Sequence, residues 1–278
     1  MIQDIQPHQF DNQYRPCPPD AQSYALYYEG QSTLLKKRKD GIEFPRFRDL
    51  ERLNEEIYEE AVYLFTIDEE RFYLVQNISR ERLSEFTMEN KESFRYAEPQ
   101  YLAFAGITGY QLNNWYRNRK FCGCCGHRMR HDEKERMMRC DHCGNMEFPK
   151  ICPAVIIGVT DGDKILMSKY AGRAYKKYAL LAGFTEIGET IEETVQREVM
   201  EEVGLKVKNI RYYKSQPWSF SDTLLMGFYC DLDGEEEITL DREELALAEW
   251  FQRDEIPVEP SRDSLTNEMI IKFKNGEV

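Results

Sequence analysis

Apolar and polar positions change period along this chain, and the changes mark its elements. Ala61 to Ile67 and Arg71 to Val75 flank the polar turn Asp68-Glu69-Glu70, which predicts a hairpin. A second hairpin is expected where Ala154 to Thr160 and Lys164 to Ser168 flank Asp161-Gly162-Asp163. From 191 the period lengthens: Ile191, Val195, Val199 and Val203 recur every four residues, the buried stripe of a helix. Thr190 and Glu193 have capping-box spacing ahead of it, and Gly204 stands where a left-handed C-terminal cap falls. Strands near Val207–Tyr213 and Leu224–Asp231, a helix through Gln111–Trp115 and a helix after Pro260 complete the pattern. Strands and helices mix without strict βαβ alternation, so an α+β sandwich is expected, with no internal repeat or low-complexity linker.

The polar side of the 191–203 helix carries the first chemistry. Glu198, Glu201 and Glu202 share an arc of roughly 100° at helical spacing. Carboxylates three and four apart repel by a few tenths of a kcal/mol per pair. A hard divalent cation such as Mg²⁺ or Mn²⁺ turns that repulsion into binding, because it prefers oxygen ligands. The bland alternative is a solvated helix face. Glu198 and Glu202 border the apolar stripe instead of opposing it, which suits a metal site better.

Composition narrows the class. With 278 residues the chain is long enough for two domains, and 41% hydrophobic with 31% charged residues describes a globular protein. No apolar stretch approaches the ~18–20 residues that span a bilayer, and Met1-Ile2-Gln3-Asp4 lacks the basic and apolar regions of a signal peptide. A cytoplasmic protein without membrane contact is the expectation. A formal charge of −13 argues against nonspecific coating of nucleic acid. Trp115 to Arg139 differs locally, with eight Lys/Arg against three Asp/Glu, and reads either as a phosphate contact or as a solvated basic face.

Eight cysteines in a reducing compartment point to metal rather than disulfides. Cys122-x2-Cys125, fourteen residues, then Cys140-x2-Cys143 has zinc-ribbon spacing, two knuckles each presenting a thiolate pair to one tetrahedral structural zinc. Gly123, Gly126 and Gly144 suit the tight knuckle turns. A redox dithiol fits poorly because two paired motifs coincide. The Cys124 side chain is expected to point away, and Cys17, Cys152 and Cys230 read as buried small apolar residues or plain thiols.

Gly183, five residues, Glu189, seven residues, then Arg197-Glu198-Val199-x-Glu201-Glu202-x-Gly204-Leu205 resembles the complete box of the Nudix hydrolases. The ribbon ahead of it and the run Ser215-Gln216-Pro217-Trp218-Ser219-Phe220-Ser221-Asp222-Thr223 are similar to the NADH pyrophosphatases of that superfamily. Ala182-Gly183-Phe184, Gly109-Tyr110-Gln111-Leu112, Glu244-Leu245 and Trp250 extend the likeness over about 110–255. The chain departs from it where Ser219 and Ser221 replace prolines and Thr223 replaces a serine, which removes two φ restrictions and leaves the loop easier to distort.

The resemblance implies a Nudix α/β/α sandwich with a mixed sheet at 150–278, a zinc ribbon at 119–149 and an N-terminal α+β, Nudix-like domain at 1–118. It implies hydrolysis of the pyrophosphate of NAD(H) to NMN(H) and AMP, and of the same bond in an NAD-capped RNA 5′ end. Two or three Mg²⁺ or Mn²⁺ ions are expected on Glu198, Glu201, Glu202, Glu244 and the Ala182 carbonyl, with Arg197 holding the carboxylates from behind. Glu202 or Glu201 would be the base, and sequence does not separate ligand from base. Phe148, Phe184 and Trp218 are the expected stacking rings, the alternative for each being core packing. Gln216 and the hydroxyls of Ser215, Ser219, Ser221 and Thr223, within the run that also holds Pro217, Phe220 and Asp222, are expected to bond ribose or amide. Arg95, Glu135 and Thr266 match family contact positions, and a homodimer is implied. Two readings compete: a Nudix diphosphatase acting on ADP-ribose or dinucleoside polyphosphates, and a nucleotide-sensing regulator that keeps the fold as a ligand pocket.

Overall fold

Cys152–Asp161 is apolar on both faces, and that makes it the centre of a sheet covered on two sides. Val155, Ile157 and Val159 point into one core and Ile156 into another, as the two-residue period of a strand requires. In the computed structural model, which describes all residues except 54, 55, 79–82, 173–176 and 263, this strand belongs to a six-stranded sheet. The order is Val207–Trp218, Thr223–Leu232, Cys152–Asp161, Lys164–Tyr170, Leu245–Gln252, with Leu181–Phe184 also paired to Cys152–Asp161. Cys152–Asp161 runs parallel to Thr223–Leu232, and the other pairings are antiparallel, so the sheet is mixed.

The helix Ile191–Val203 lays Val195, Val199 and Val203 on the first face, against Val155, Ile157 and Val159. The helix Leu265–Lys274 lays Leu265, Met269, Ile270 and Phe273 on the second, with Ile156, Ile165 and Met167. The result is the α/β/α sandwich. Both predicted hairpins form: Asp161 pairs with Lys164 around Gly162 at φ +59°, and Ile67 pairs with Glu70.

A strand boundary beside the expected binding run differs from the sequence reading. The strand expected to stop near Tyr213 continues to Trp218, so Ser215–Trp218 pairs with Met226–Thr223 and only Ser219–Asp222 form the loop. Pro217 disguises this as a loop in the sequence. It is tolerated because the strand lies at the sheet edge, where a missing N–H breaks no central ladder.

Two compact units are present, one of residues 1, 151–218 and 223–278, the other of residues 2–150 and 219–222. In the second, one sheet orders Phe10–Asp11, Val62–Ile67, Glu70–Leu74 and Tyr24–Leu26, and another joins Tyr28–Glu29, Ser32–Arg38, Gly41–Glu43 and Thr87–Asn90. The helix seen in sequence only around Gln111–Trp115 runs from Gln100 to Asn118. Gly106 and Gly109 lower its propensity, but a Cβ at either would fall within 2.5 Å of Phe94 or of Leu26 and the Tyr28 hydroxyl. The ribbon strands Arg130–His131, Met138–Arg139 and Met146–Glu147 belong to this unit. Cys230 is buried, Cys152 is half-buried, and Cys17 is exposed, the plain-thiol alternative of the sequence reading.

Candidate active site and zinc centre

The helix Ile191–Val203 is fixed at both ends before it carries any function. Thr190 Oγ1 accepts the Glu193 N–H at 3.2 Å, and a Glu193 carboxylate oxygen accepts the Thr190 N–H at 2.8 Å. Gly204 closes it at φ +71°. With the valines turned into the core, Glu198 and Glu202 fall on the border of the stripe and are 8% and 2% exposed, while Glu201 lies in the open.

The Leu181–Phe184 strand passes close to Glu198. A Cβ built on Gly183 would lie 1.9 Å from the Glu198 carboxyl carbon, so the carboxylate occupies the space a side chain would need. Ala182, half-buried, precedes it and pairs with Ile156.

Arg197 gathers the surrounding acids. Its Nε bonds Glu189, its Nη1 donates to Glu198 Oε1 and to Glu201 Oε2, each at 2.9 Å, and its Nη2 donates to the Phe184 carbonyl at 2.9 Å. Thr194, fully buried, donates its hydroxyl to Glu189 Oε2 at 3.0 Å. The Arg197 guanidinium, with the Glu186 N–H and Thr194 hydroxyl, holds the Glu189 carboxyl down at about 2. Burial pushes Glu198 the other way, above the ordinary carboxylate range. Arg197 opposes that, and the charges of Glu201 and Glu244 add to it. Glu244 is exposed just ahead of the Leu245–Gln252 strand, and its carbonyl accepts the Ala171 N–H at 2.8 Å.

Glu198, Glu201, Glu202 and Glu244 are hard oxygen donors only. Mutual repulsion at Glu198 is what a divalent cation would relieve, so the donor set fits Mg²⁺ or Mn²⁺. Thr194 and Glu189 were not singled out as functional by sequence. The signal for Glu189 was its fixed place in the box, while Thr194 had none.

The ribbon brings Cys122, Cys125, Cys140 and Cys143 together, with their sulfurs within 4.8 Å of one another. Cys122 Sγ lies 3.5 Å from Cys143 Sγ, and Cys125 Sγ 3.5 Å from Cys140 Sγ. Four thiolates on a tetrahedral Zn²⁺ at ~2.3 Å would stand ~3.8 Å apart, so the cluster fits zinc. Its knuckles close through the Gly126 N–H on the Cys122 carbonyl and the Gly144 N–H on the Cys140 carbonyl, both at 2.9 Å. Cys124 is exposed and outside the four.

The expected substrate contacts fall into distinct environments. Phe148 and Phe184 are 54% and 55% exposed, so neither is a core ring. Trp218 is half-buried and Pro217 exposed, beside the Trp218–Thr223 pair that closes the hairpin. Ser219, Phe220 and Thr223 are buried, Ser221 is exposed, and Asp222 takes φ +59°. The Phe220 carbonyl accepts the Lys91 ammonium at 2.7 Å, and the Arg95 guanidinium lies 4.4 Å from the Phe220 ring. Lys91 carried no sequence signal. Glu135 is exposed in the ribbon, and Thr266 is half-buried in the first turn of the C-terminal helix. Gln216, expected to bond ribose or amide, is instead completely buried, and its Oε1 accepts the Leu265 N–H at 2.8 Å. It ties the edge strand to the start of that helix.

The chain is similar to several known proteins. Residues 150–271 match the NUDIX domain, and residues 117–148 match the NADH pyrophosphatase zinc ribbon domain. A protein of Klebsiella pneumoniae subsp. pneumoniae named NAD-capped RNA hydrolase NudC is 41% identical over 174 residues, covering 62% of this chain and 66% of that protein. One of the same name from Salmonella typhi is 41% identical over 162 residues, covering 58% of this chain and 63% of its own length. These matches span just under two thirds of the relatives' length. Among solved structures, a NUDIX hydrolase from Nitrosomonas europaea aligns at TM-score 0.49 and 24% identity, over 57% of this chain and 92% of that one.

Proposed function

We propose that the chain is a Nudix hydrolase, with the zinc ribbon of the NADH pyrophosphatases ahead of the Nudix domain, and that it hydrolyses the pyrophosphate bond of NAD(H) to NMN(H) and AMP. The observation that carries the proposal is the Glu198 carboxylate seated over Gly183, with Arg197 bonded to Glu189, Glu198 and Glu201.

In this reading Glu198, Glu202 and Glu244, with Glu201 and the Ala182 carbonyl, hold two or three Mg²⁺ or Mn²⁺ ions. Such ions offset phosphate charge and lower the pKa of bound water. Arg197 keeps Glu198 and Glu201 from swinging apart. Water attacks one phosphorus of the pyrophosphate, the bond from that phosphorus to the bridging oxygen breaks so that the other phosphate leaves, and the carboxylate of Glu202 or Glu201 takes the proton of the water. The rings of Trp218 and Phe184 stack on a flat end of the dinucleotide, each such contact being worth about 1–3 kcal/mol by analogy with base stacking. Thr266 and the Thr223 hydroxyl supply further contacts.

The name of these relatives, with the basic Trp115–Arg139 stretch, favours a longer form of the same substrate, an NAD-capped RNA 5′ end. Only the ribose 3′ side is extended, so the same residues serve. Activity on RNA would then fall with salt while activity on free NADH would not.

The proposal includes the division into 1–118, 119–149 and 150–278, a cytoplasmic location and a homodimer, the last open to sedimentation. Among the described residues no helix is long and apolar enough to cross a membrane. The deciding experiment compares initial rates on NADH, NAD⁺, NAD-capped RNA and ADP-ribose with Mg²⁺ or Mn²⁺. Preference for the nicotinamide substrates is expected, and a preference for ADP-ribose would overturn the assignment. Glu202→Gln should lose turnover while keeping a native circular dichroism spectrum, and near-wild-type activity in that variant would remove the glutamate from the chemistry.

A further inference from the structure

The ribbon carries soft donors that the four-cysteine site leaves over. His127 follows the first knuckle and His142 lies inside the second, and both are exposed. Their rings face each other with centroids 3.7 Å apart and planes within 7°. One ring nitrogen of each and the Cys125 sulfur all lie within 4.8 Å of one another.

His127 is also prepared for a metal. Its Nδ1 lies 3.2 Å from the Cys125 carbonyl oxygen. A carbonyl only accepts, so that contact selects the tautomer with the proton on Nδ1 and leaves Nε2 its lone pair. Metal-binding histidines are oriented in this way by a backbone carbonyl behind them. The residue's own backbone is pinned, because its carbonyl accepts the Cys122 N–H at 2.8 Å. Parallel rings run their lone pairs side by side, and exposed side chains can tilt to converge them within ordinary rotamers.

We propose that His127, His142 and Cys125 form a second, weaker site for a borderline-soft divalent ion, with the Cys125 thiolate shared between it and the structural zinc. Imidazole and thiolate select Zn²⁺, Co²⁺, Ni²⁺ or Cu²⁺ over Mg²⁺ and Mn²⁺, so the site is chemically separate from the glutamates. A second cation beside the first is repelled by it and holds only one shared thiolate. It is therefore the exchangeable ion of the two.

The test titrates Co²⁺ into the full chain carrying one zinc, following thiolate-to-cobalt absorption and the zinc retained. Cobalt on the Nudix glutamates lacks a sulfur ligand and gives no such band. One further cobalt per chain with a thiolate band and zinc retained is expected. His127→Ala and His142→Ala should each lose that band while keeping zinc and a native circular dichroism spectrum. Absence of the band in the wild type, its persistence in both variants, or its appearance only as zinc departs would each overturn the site.

Discussion

Gly183 and Glu198 share one space: a Cβ on the glycine would fall 1.9 Å from the glutamate's carboxyl carbon and 2.0 and 2.1 Å from its oxygens. The clash is with the end of a flexible side chain, so Gly183→Ala should leave the fold standing and push the carboxylate aside. Displacing a reacting group by about 1 Å costs on the order of 100-fold in rate. The expected result is a kcat lowered by about that factor at saturating Mg²⁺, with an unchanged thermal midpoint. Wild-type turnover in the alanine variant would mean that Glu198 does not work from this position.

Arg197 and Glu189 give a pH dependence of definite sign. The guanidinium holds the Glu189 carboxyl at about 2, below its ordinary 4.5. A carboxyl so depressed stabilises the fold above its unfolded value, and that contribution is lost as pH falls through the folded one. Arg197→Met removes the main cause. Without divalent metal, the stability gap between wild type and variant in urea should be widest near neutral pH and narrow as pH is lowered from about 5 toward about 3. A gap independent of pH would show that the pair contributes packing alone.

The Ile191–Val203 helix was legible in sequence because its determinants are local: a cap at Thr190, a valine every fourth residue, and Gly204 at the end. What sequence could not carry was distance in space. The box supplies Gly183 and Glu198 but not the fact that they touch. Lys91 meets Phe220 across 129 residues, and nothing local marks either as a partner. The Gln100–Asn118 helix was read short because Gly106 and Gly109 weaken a helix locally, while their cause is the nearness of Phe94 and Tyr28. Ser215–Trp218 looked like a loop because Pro217 argues against a strand unless the strand is known to lie at an edge.

Gln216 separates a structural role from a binding one. Its Oε1 accepts the Leu265 N–H, one of the helix-start donors that lack a partner within the helix. Gln216→Leu fills the same volume and strands that donor, which costs about 1–3 kcal/mol. Urea unfolding should show the loss, while the KM for NADH stays near wild type. A raised KM at unchanged stability would return Gln216 to the substrate contacts.

Zinc should stabilise more than the ribbon. Leu64 is the extra residue of a bulge between Tyr63 and Phe65, so its carbonyl turns away from the ladder to Glu70–Leu74. That carbonyl accepts Nη2 of Arg136, which stands between the ribbon strands Arg130–His131 and Met138–Arg139. The same guanidinium donates to Asn12 Oδ1 at 3.2 Å and lies 5.1 Å from the Tyr14 ring. Losing the ribbon therefore leaves a buried carbonyl without its donor, at a cost of about 1–3 kcal/mol. Arg136→Met should raise amide exchange across Val62–Ile67 with zinc fully retained, and chelating the zinc should raise it at least as much. If zinc removal, verified by metal analysis, leaves those amides as protected as before, the ribbon is not what holds the bulge.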